Sequence, residues 1–128
     1  MSKPWDFLDD YRQENESGVV LAHQWPTLPE LFDITSHRYP ERRAFTTFDP
    51  EEMVLTYREV HRRILSTAAE LSRRKIKPGD FVAVTGKNSP EWAVAYLAVL
   101  YAGGVVVPID YQLDSKDIVG LASRARVK

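Results

Sequence analysis

The sequence predicts an α/β fold: a partial parallel sheet with a βαβ crossover and flanking helices, plus a small β-hairpin. Three observations carry that prediction. Two short continuous apolar runs, residues 81–85 and 105–109, have strand length and flank an apolar stretch of helical length. Turn residues precede each run, as Lys77-Pro78-Gly79-Asp80 and as Gly103-Gly104. The order strand, helix, strand, helix then requires parallel strands joined by a right-handed crossover.

The elements follow in chain order. Residues 1–26 carry scattered acids, amides and two tryptophans with no sustained period, and read as an extended surface arm anchored by Trp5, Phe7, Tyr11 and Trp25. Residues 27–128 form the α/β unit. Thr27 and Glu30 have capping-box spacing, and Pro29 sits early, where a missing N–H costs little. Leu28, Leu31, Phe32 and Thr35 share a face of this helix, which should end near Tyr39 before Pro40. Ala44–Phe48 and Met53–Thr56 are β-type runs around Asp49-Pro50-Glu51-Glu52, the pattern of a hairpin. Thr56 and Glu59 repeat the capping box. Val60, Ile64, Ala68 and Leu71 then recur at helical intervals, while Arg62, Arg63, Glu70, Arg73 and Arg74 face water. Phe81–Thr85 reads as a buried strand. Ser89 caps the next helix, with Pro90 in its first position and Glu91 in its first turn. Trp92 through Tyr101 is apolar almost all round, so cover on more than one side is expected. Gly103 stops that helix, and Val105–Ile109 is a second buried strand. Asp114 or Ser115 starts a last helix whose Ile118, Leu121, Ala122 and Ala125 share a face.

Bulk properties exclude several functions. The 128 residues suffice for one domain burying roughly two-thirds of its extended-chain surface. Apolar residues make up 44% and charged residues 27%, a globular balance. With 17 Lys+Arg against 18 Asp+Glu, the net charge of -1 gives no reason to expect nucleic acid. The absence of cysteine removes disulfides, thiolate metal sites and thiol catalysis. MSKPWDFLDDY is acidic and lacks the apolar run of a signal peptide. Gly103, Gly104 and Pro108 interrupt the longest apolar stretch, so no transmembrane segment is expected. A cytoplasmic setting follows as the expectation.

The residues that could carry chemistry have plainer readings. Thr85-Gly86-Lys87-Asn88-Ser89 lies between a strand and a helix, but a phosphate loop needs glycine where Phe81 stands and Ser or Thr where Asn88 stands. Gly103-Gly104 ends a helix instead of opening one, unlike a dinucleotide fingerprint. Asp110 closes a buried strand, yet no acidic pair follows the earlier strand, and it reads as a turn aspartate. His23, His37 and His61 share no ligand spacing and read as surface or interface histidines. The arginine pairs complement a helix end. No residue is assigned a catalytic, cofactor-binding or metal-binding role.

Four stretches in one order carry a resemblance: 28–45, 55–92, 95–110 and 114–128. They contain Thr56-Tyr57-Arg58-Glu59, Lys77-Pro78-Gly79-Asp80, Asn88-Ser89-Pro90-Glu91-Trp92 and the run Ala102–Pro108. Together they resemble the amino-terminal region of the AMP-forming acyl-CoA synthetase, luciferase and adenylation-domain superfamily. The resemblance implies an incomplete part of the large N-terminal domain of an adenylate-forming enzyme. It also implies the family reaction: a carboxylate attacks Mg-ATP to give an acyl-adenylate and pyrophosphate, and a thiol such as coenzyme A takes the acyl group. ATP, Mg and coenzyme A are therefore implied for the full-length enzyme, and none for this fragment, because the family's phosphate loop, ribose aspartate and catalytic lysine are expected beyond Lys128. The wording is closer to an acyl-CoA synthetase, with a long-chain fatty acid as substrate, although Tyr111 stands where the family has proline. Peripheral membrane association stays open for such a full-length enzyme. The alternatives are a peptide-synthetase adenylation domain or a small non-catalytic α/β binding module. The implied partner is the remainder of the enzyme chain. A third strand is expected to begin at Arg126-Val127-Lys128, and an uncovered sheet edge predicts self-association.

Overall fold

In the computed structural model, which describes residues 26–128, Thr27 opens α1 (Leu28–Arg38) with a reciprocal cap. The Thr27 N–H donates to Glu30 Oε2 at 2.7 Å, and the Glu30 N–H donates to Thr27 Oγ1 at 3.4 Å. β1 (Arg43–Thr47) and β2 (Met53–Thr56) form an antiparallel hairpin with Phe45 opposite Leu55. Thr56 then caps α2 (Tyr57–Arg73) in the same reciprocal way, with Glu59 as partner. In each box the threonine backbone N–H, then its hydroxyl, holds the glutamate below the usual carboxylate range. The arm with Trp5, Phe7, Tyr11 and Trp25 lies outside the described residues, as does His23.

β3 (Phe81–Thr85) and β4 (Val105–Ile109) pair in parallel, with Val82 beside Val106 and Val84 beside Pro108. α3 (Pro90–Tyr101) crosses between them, and α4 (Ser115–Arg124) follows with Asp114 as its cap. The expected α/β class is therefore what the chain adopts. α2, α3 and α4 each end in paired backward bonds to the last-turn carbonyls. At α3 these run from Gly103 N–H to the Leu100 carbonyl at 3.0 Å and from Gly104 N–H to the Val99 carbonyl at 2.9 Å.

The core lies where α2 meets α3 over the hairpin. Leu55, Val60, Ile64, Ala68, Val94 and Ala98 are buried there, with Phe32, Phe45, Leu97 and Tyr101 packed around them. α3 contacts α1 and α2 as well as both parallel strands, so its apolar circumference is covered from several directions. Among the described residues no helix is long and apolar enough to cross a membrane.

Two expectations need correction. β3 and β4 are not buried along their length: only Val84 and Ile109 are, while Phe81 and Val105 are 45% and 41% exposed. Parallel strands are buried only when helices cover both faces, and here α3 packs on both strands while α4 touches β4. α4 accordingly buries none of its residues, and Val119 is 67% exposed. On α1 the buried residues are Ile34 and Ser36, whereas Leu28 and Leu31 line an open groove. α1 contacts both α2 and α3, and of the expected face Phe32 packs against the core. At the other edge of β3, the Lys128 N–H donates to the Phe81 carbonyl at 2.9 Å. The chain thus runs back alongside β3 by its last described residue.

Candidate functional site

The carboxyl ends of β3 and β4, where open α/β sheets place ligands, frame a cleft of about 400 Å³. Gly86, Asn88, Trp92, Asp110, Tyr111 and Gln112 line it. Gly86 has φ +144°, and a Cβ there would stand 3.8 Å from Trp92. The loop makes a poor phosphate cradle. Pro90 brings no N–H to the first turn of α3, and the Ser89 hydroxyl already takes the Trp92 N–H at 3.1 Å. Asp110 forms a local turn, its Oδ1 accepting the Gln112 N–H at 2.9 Å. Among the described residues no group of three or more His, Cys, Asp or Glu could hold a metal ion. These residues therefore do not fit Mg-ATP.

A second cluster was invisible in the spacing of its members. Asp33 on α1, His61 on α2 and Tyr101 at the end of α3 come together beside a cleft of about 690 Å³. The Asp33 Oδ1 lies 2.8 Å from His61 Nε2 and also accepts the Tyr101 hydroxyl. An ionised carboxylate only accepts, so Nε2 carries the imidazole proton. The Tyr101 hydroxyl is also 3.1 Å from the Pro29 carbonyl. One carboxylate thereby links three helices. His61, expected to be a surface or interface histidine, lies half-buried between helices, with a carboxylate partner that its sequence spacing does not show. His37 lines the same cleft. Ser36 Oγ, buried beside it, has no hydrogen-bond partner in the structure.

Burial first, and the Asp33 carboxylate second, push the Tyr101 phenol well above its usual range. The sign of the consequence is fixed. A raised native pKa contributes stability that is present below the unfolded tyrosine value, about 10, and fades as pH climbs from there. Stability is therefore expected to decline above that pH, and Tyr101→Phe is expected to flatten the decline. At neutral pH the same change should cost about 0.5–1.5 kcal/mol, the net worth of one hydrogen bond. Urea titrations of both proteins between neutral and alkaline pH check it. Equal slopes would overturn this role for Tyr101.

The basic residues serve local geometry. Glu70 on α2 accepts from Arg73 Nε at 2.8 Å and from Arg74 Nε at 2.7 Å, and these arginines lower its pKa. Arg62 and Arg63 flank a separate surface groove between α2 and α3. In the Lys77–Asp80 turn, Asp80 Oδ2 accepts the Lys77 N–H at 2.7 Å and Lys128 Nζ at 2.9 Å. The backbone donor first, then the lysine, draws the Asp80 pKa down.

Comparison with known proteins gives this scaffold a context. A family model described as AMP-binding enzyme matches residues 32–128. The chain is 30% identical over 106 residues to a 3-[(3aS,4S,7aS)-7a-methyl-1,5-dioxo-octahydro-1H-inden-4-yl]propanoyl:CoA ligase of Rhodococcus jostii, matching 83% of this chain and 20% of that protein. It is 42% identical over 84 residues to phosphinothricin tripeptide synthetase PhsB of Streptomyces viridochromogenes, matching 66% of this chain and 7% of that protein. Its fold is similar to the N-terminal subdomain of Klebsiella oxytoca NpsA solved with 3-hydroxybenzoyl-AMSN. There the TM-score is 0.75 and the identity 32%, over 85% of this chain and 27% of that one. The chain spans about a fifth or less of the length of these curated relatives.

Proposed function

The chain belongs to the AMP-binding enzyme family, and on that premise we propose that it forms the opening scaffold of an enzyme that activates a carboxylate with ATP. The observation that carries this reading is the continuity of the match from residue 32 to residue 128. Every stretch that bears the resemblance falls on an element of one packed unit. In this role α2 and α3 brace the hairpin and the two parallel strands, and the chemistry resides in the rest of the enzyme. ATP, Mg²⁺ and a thiol acceptor act there. In such chemistry a cation and fixed donors neutralise charge on the phosphates while the carboxylate attacks.

We assign the thiol acceptor to coenzyme A and the substrate to the fatty acids. The 30% identity over 105 residues to a long-chain-fatty-acid–CoA ligase of Bacillus subtilis and the Asn88–Trp92 wording support this assignment. A second reading, an adenylation domain of a peptide synthetase, is favoured by the 42% identity to a tripeptide synthetase. ATP–pyrophosphate exchange separates the two. The enzyme that contains these residues is expected to exchange with fatty acids and not with amino acids; the opposite preference sinks the first reading. The 128-residue chain alone is expected to give no exchange with either class. Turnover by the isolated chain would place chemistry within the scaffold and overturn the proposed division of labour.

A further inference from the structure

The cleft beside Asp33, His61 and Tyr101 measures about 690 Å³, within the roughly 300–1,000 Å³ of sites that hold small molecules. It shares no lining residue with the cleft at the ends of β3 and β4, and the proposed scaffold role leaves it unused. Its free valences can be counted. Asp33 Oδ1 is spent on His61 and Tyr101, while Asp33 Oδ2 has no partner among the described residues. His61 Nε2 donates to Asp33, so in the neutral ring Nδ1 is left as an unpaired acceptor. The Asp33 and His61 side chains are 44% and 31% exposed, within reach of a ligand. Phe32 stacks on the His61 ring at 6.4 Å and Tyr101 meets it edge-on at 6.1 Å, which fixes the ring's orientation. Arg58 also lines the cleft, but Glu41 holds its guanidinium, at 2.8 Å through Nε and again through a terminal nitrogen. Asp33 thus keeps its charge with no lysine or arginine paired to it among the described residues. Ser36, 7% exposed in the same wall, holds an Oγ that also lacks a partner.

We propose that this cleft binds a small organic ammonium ion, held by Asp33 Oδ2 with His61 Nδ1 as second acceptor. An ammonium carries three donors and no acceptor, the complement of the acceptors left over here. Its apolar body lies on Pro40 and Leu65, which line the cleft, and covers the half-exposed Leu65. A carboxylate or phosphate would instead meet Asp33 with like charge.

Titration of the chain with benzylamine tests this, with benzyl alcohol as neutral isostere and benzoate as anionic one. The readout is the carbon-bound ring proton signal of His61, assigned by its loss in His61→Gln and recorded slightly above neutral pH, where benzylamine is a cation. That signal is expected to follow a saturating curve with benzylamine. Benzyl alcohol should bind at least about tenfold more weakly, the worth of making one bond charge-assisted, and benzoate should not saturate. Asp33→Asn keeps the shape, removes the charge and should weaken benzylamine by a similar factor, while the half-buried Trp92 indole signal stays in place to report the fold. A shift that never saturates overturns the proposal, as does alcohol or benzoate binding as tightly as the amine. An affinity indifferent to Asp33→Asn overturns it too. If that variant unfolds, the comparison of the three probes decides alone.

Discussion

Ile64→Ala is expected to cost about 2–5 kcal/mol, the range for truncating a fully buried isoleucine. Ile64 is 0% exposed, and it lies between Val60 and Ala68 on the α2 stripe that faces α3. Removing its outer carbons loses transfer energy and leaves a cavity that the surrounding core fills only in part. Against a total stability of about 5–15 kcal/mol for such a domain, this loss is a large fraction of what keeps it folded. Leu65→Ala is the matched control. Its side chain comes from the adjacent position but is 47% exposed, so less than half the effect is expected. Urea unfolding should show a lower midpoint at an unchanged slope for the core variant. Equal losses at the two positions would mean that α2 does not seat on α3 as described.

The second large effect is expected at the end of α3. Gly103 has φ +78°, and a Cβ there would stand 3.2 Å from the Cβ of Pro78 and 3.3 Å from its Cα. Two separate penalties therefore meet in Gly103→Ala. The left-handed backbone costs an L-residue about 1–2 kcal/mol. Crowding against a proline backbone, which cannot swing aside, adds about 1–3 kcal/mol. Gly79→Ala isolates the first penalty, because Gly79 has φ +84° with nothing within 4 Å of an added Cβ. Thermal or urea unfolding of both variants should rank Gly103→Ala as clearly the worse. Identical losses would show that the Lys77–Asp80 turn does not press on the helix end.

What could be read in the chain beforehand was local. Thr27 with Glu30, and Thr56 with Glu59, are three residues apart, so their capping boxes are written within one helical turn and appear as expected. The same holds for Ser89-Pro90 at the start of α3 and for Gly103 at its end. The βαβ unit was legible too, because two β-rich runs and one apolar helix leave few arrangements. Burial was less legible. Whether Phe81 or Val105 is covered depends on which elements lie over the sheet, and a strand's own letters do not state that. The Asp33 cluster was out of reach for another reason: His61 lies 28 residues from Asp33, and Tyr101 lies 68 away. Its members are one aspartate, one histidine and one tyrosine, each ordinary alone. Only the packing of three helices makes them neighbours. Ser36 shows a related gap, since a small polar letter on α1 gave no sign of a core position.

A rod that is oily on every side has no preferred way to face, since turning it about its axis hides the same surface. α3 is such a rod, and oil alone would leave its azimuth undecided. The Tyr101 oxygen, moored to Asp33 and close to the Pro29 carbonyl, acts as a dowel that sets the angle. Its worth to the molecule then lies less in the strength of one bond than in having a single orientation where many would otherwise compete.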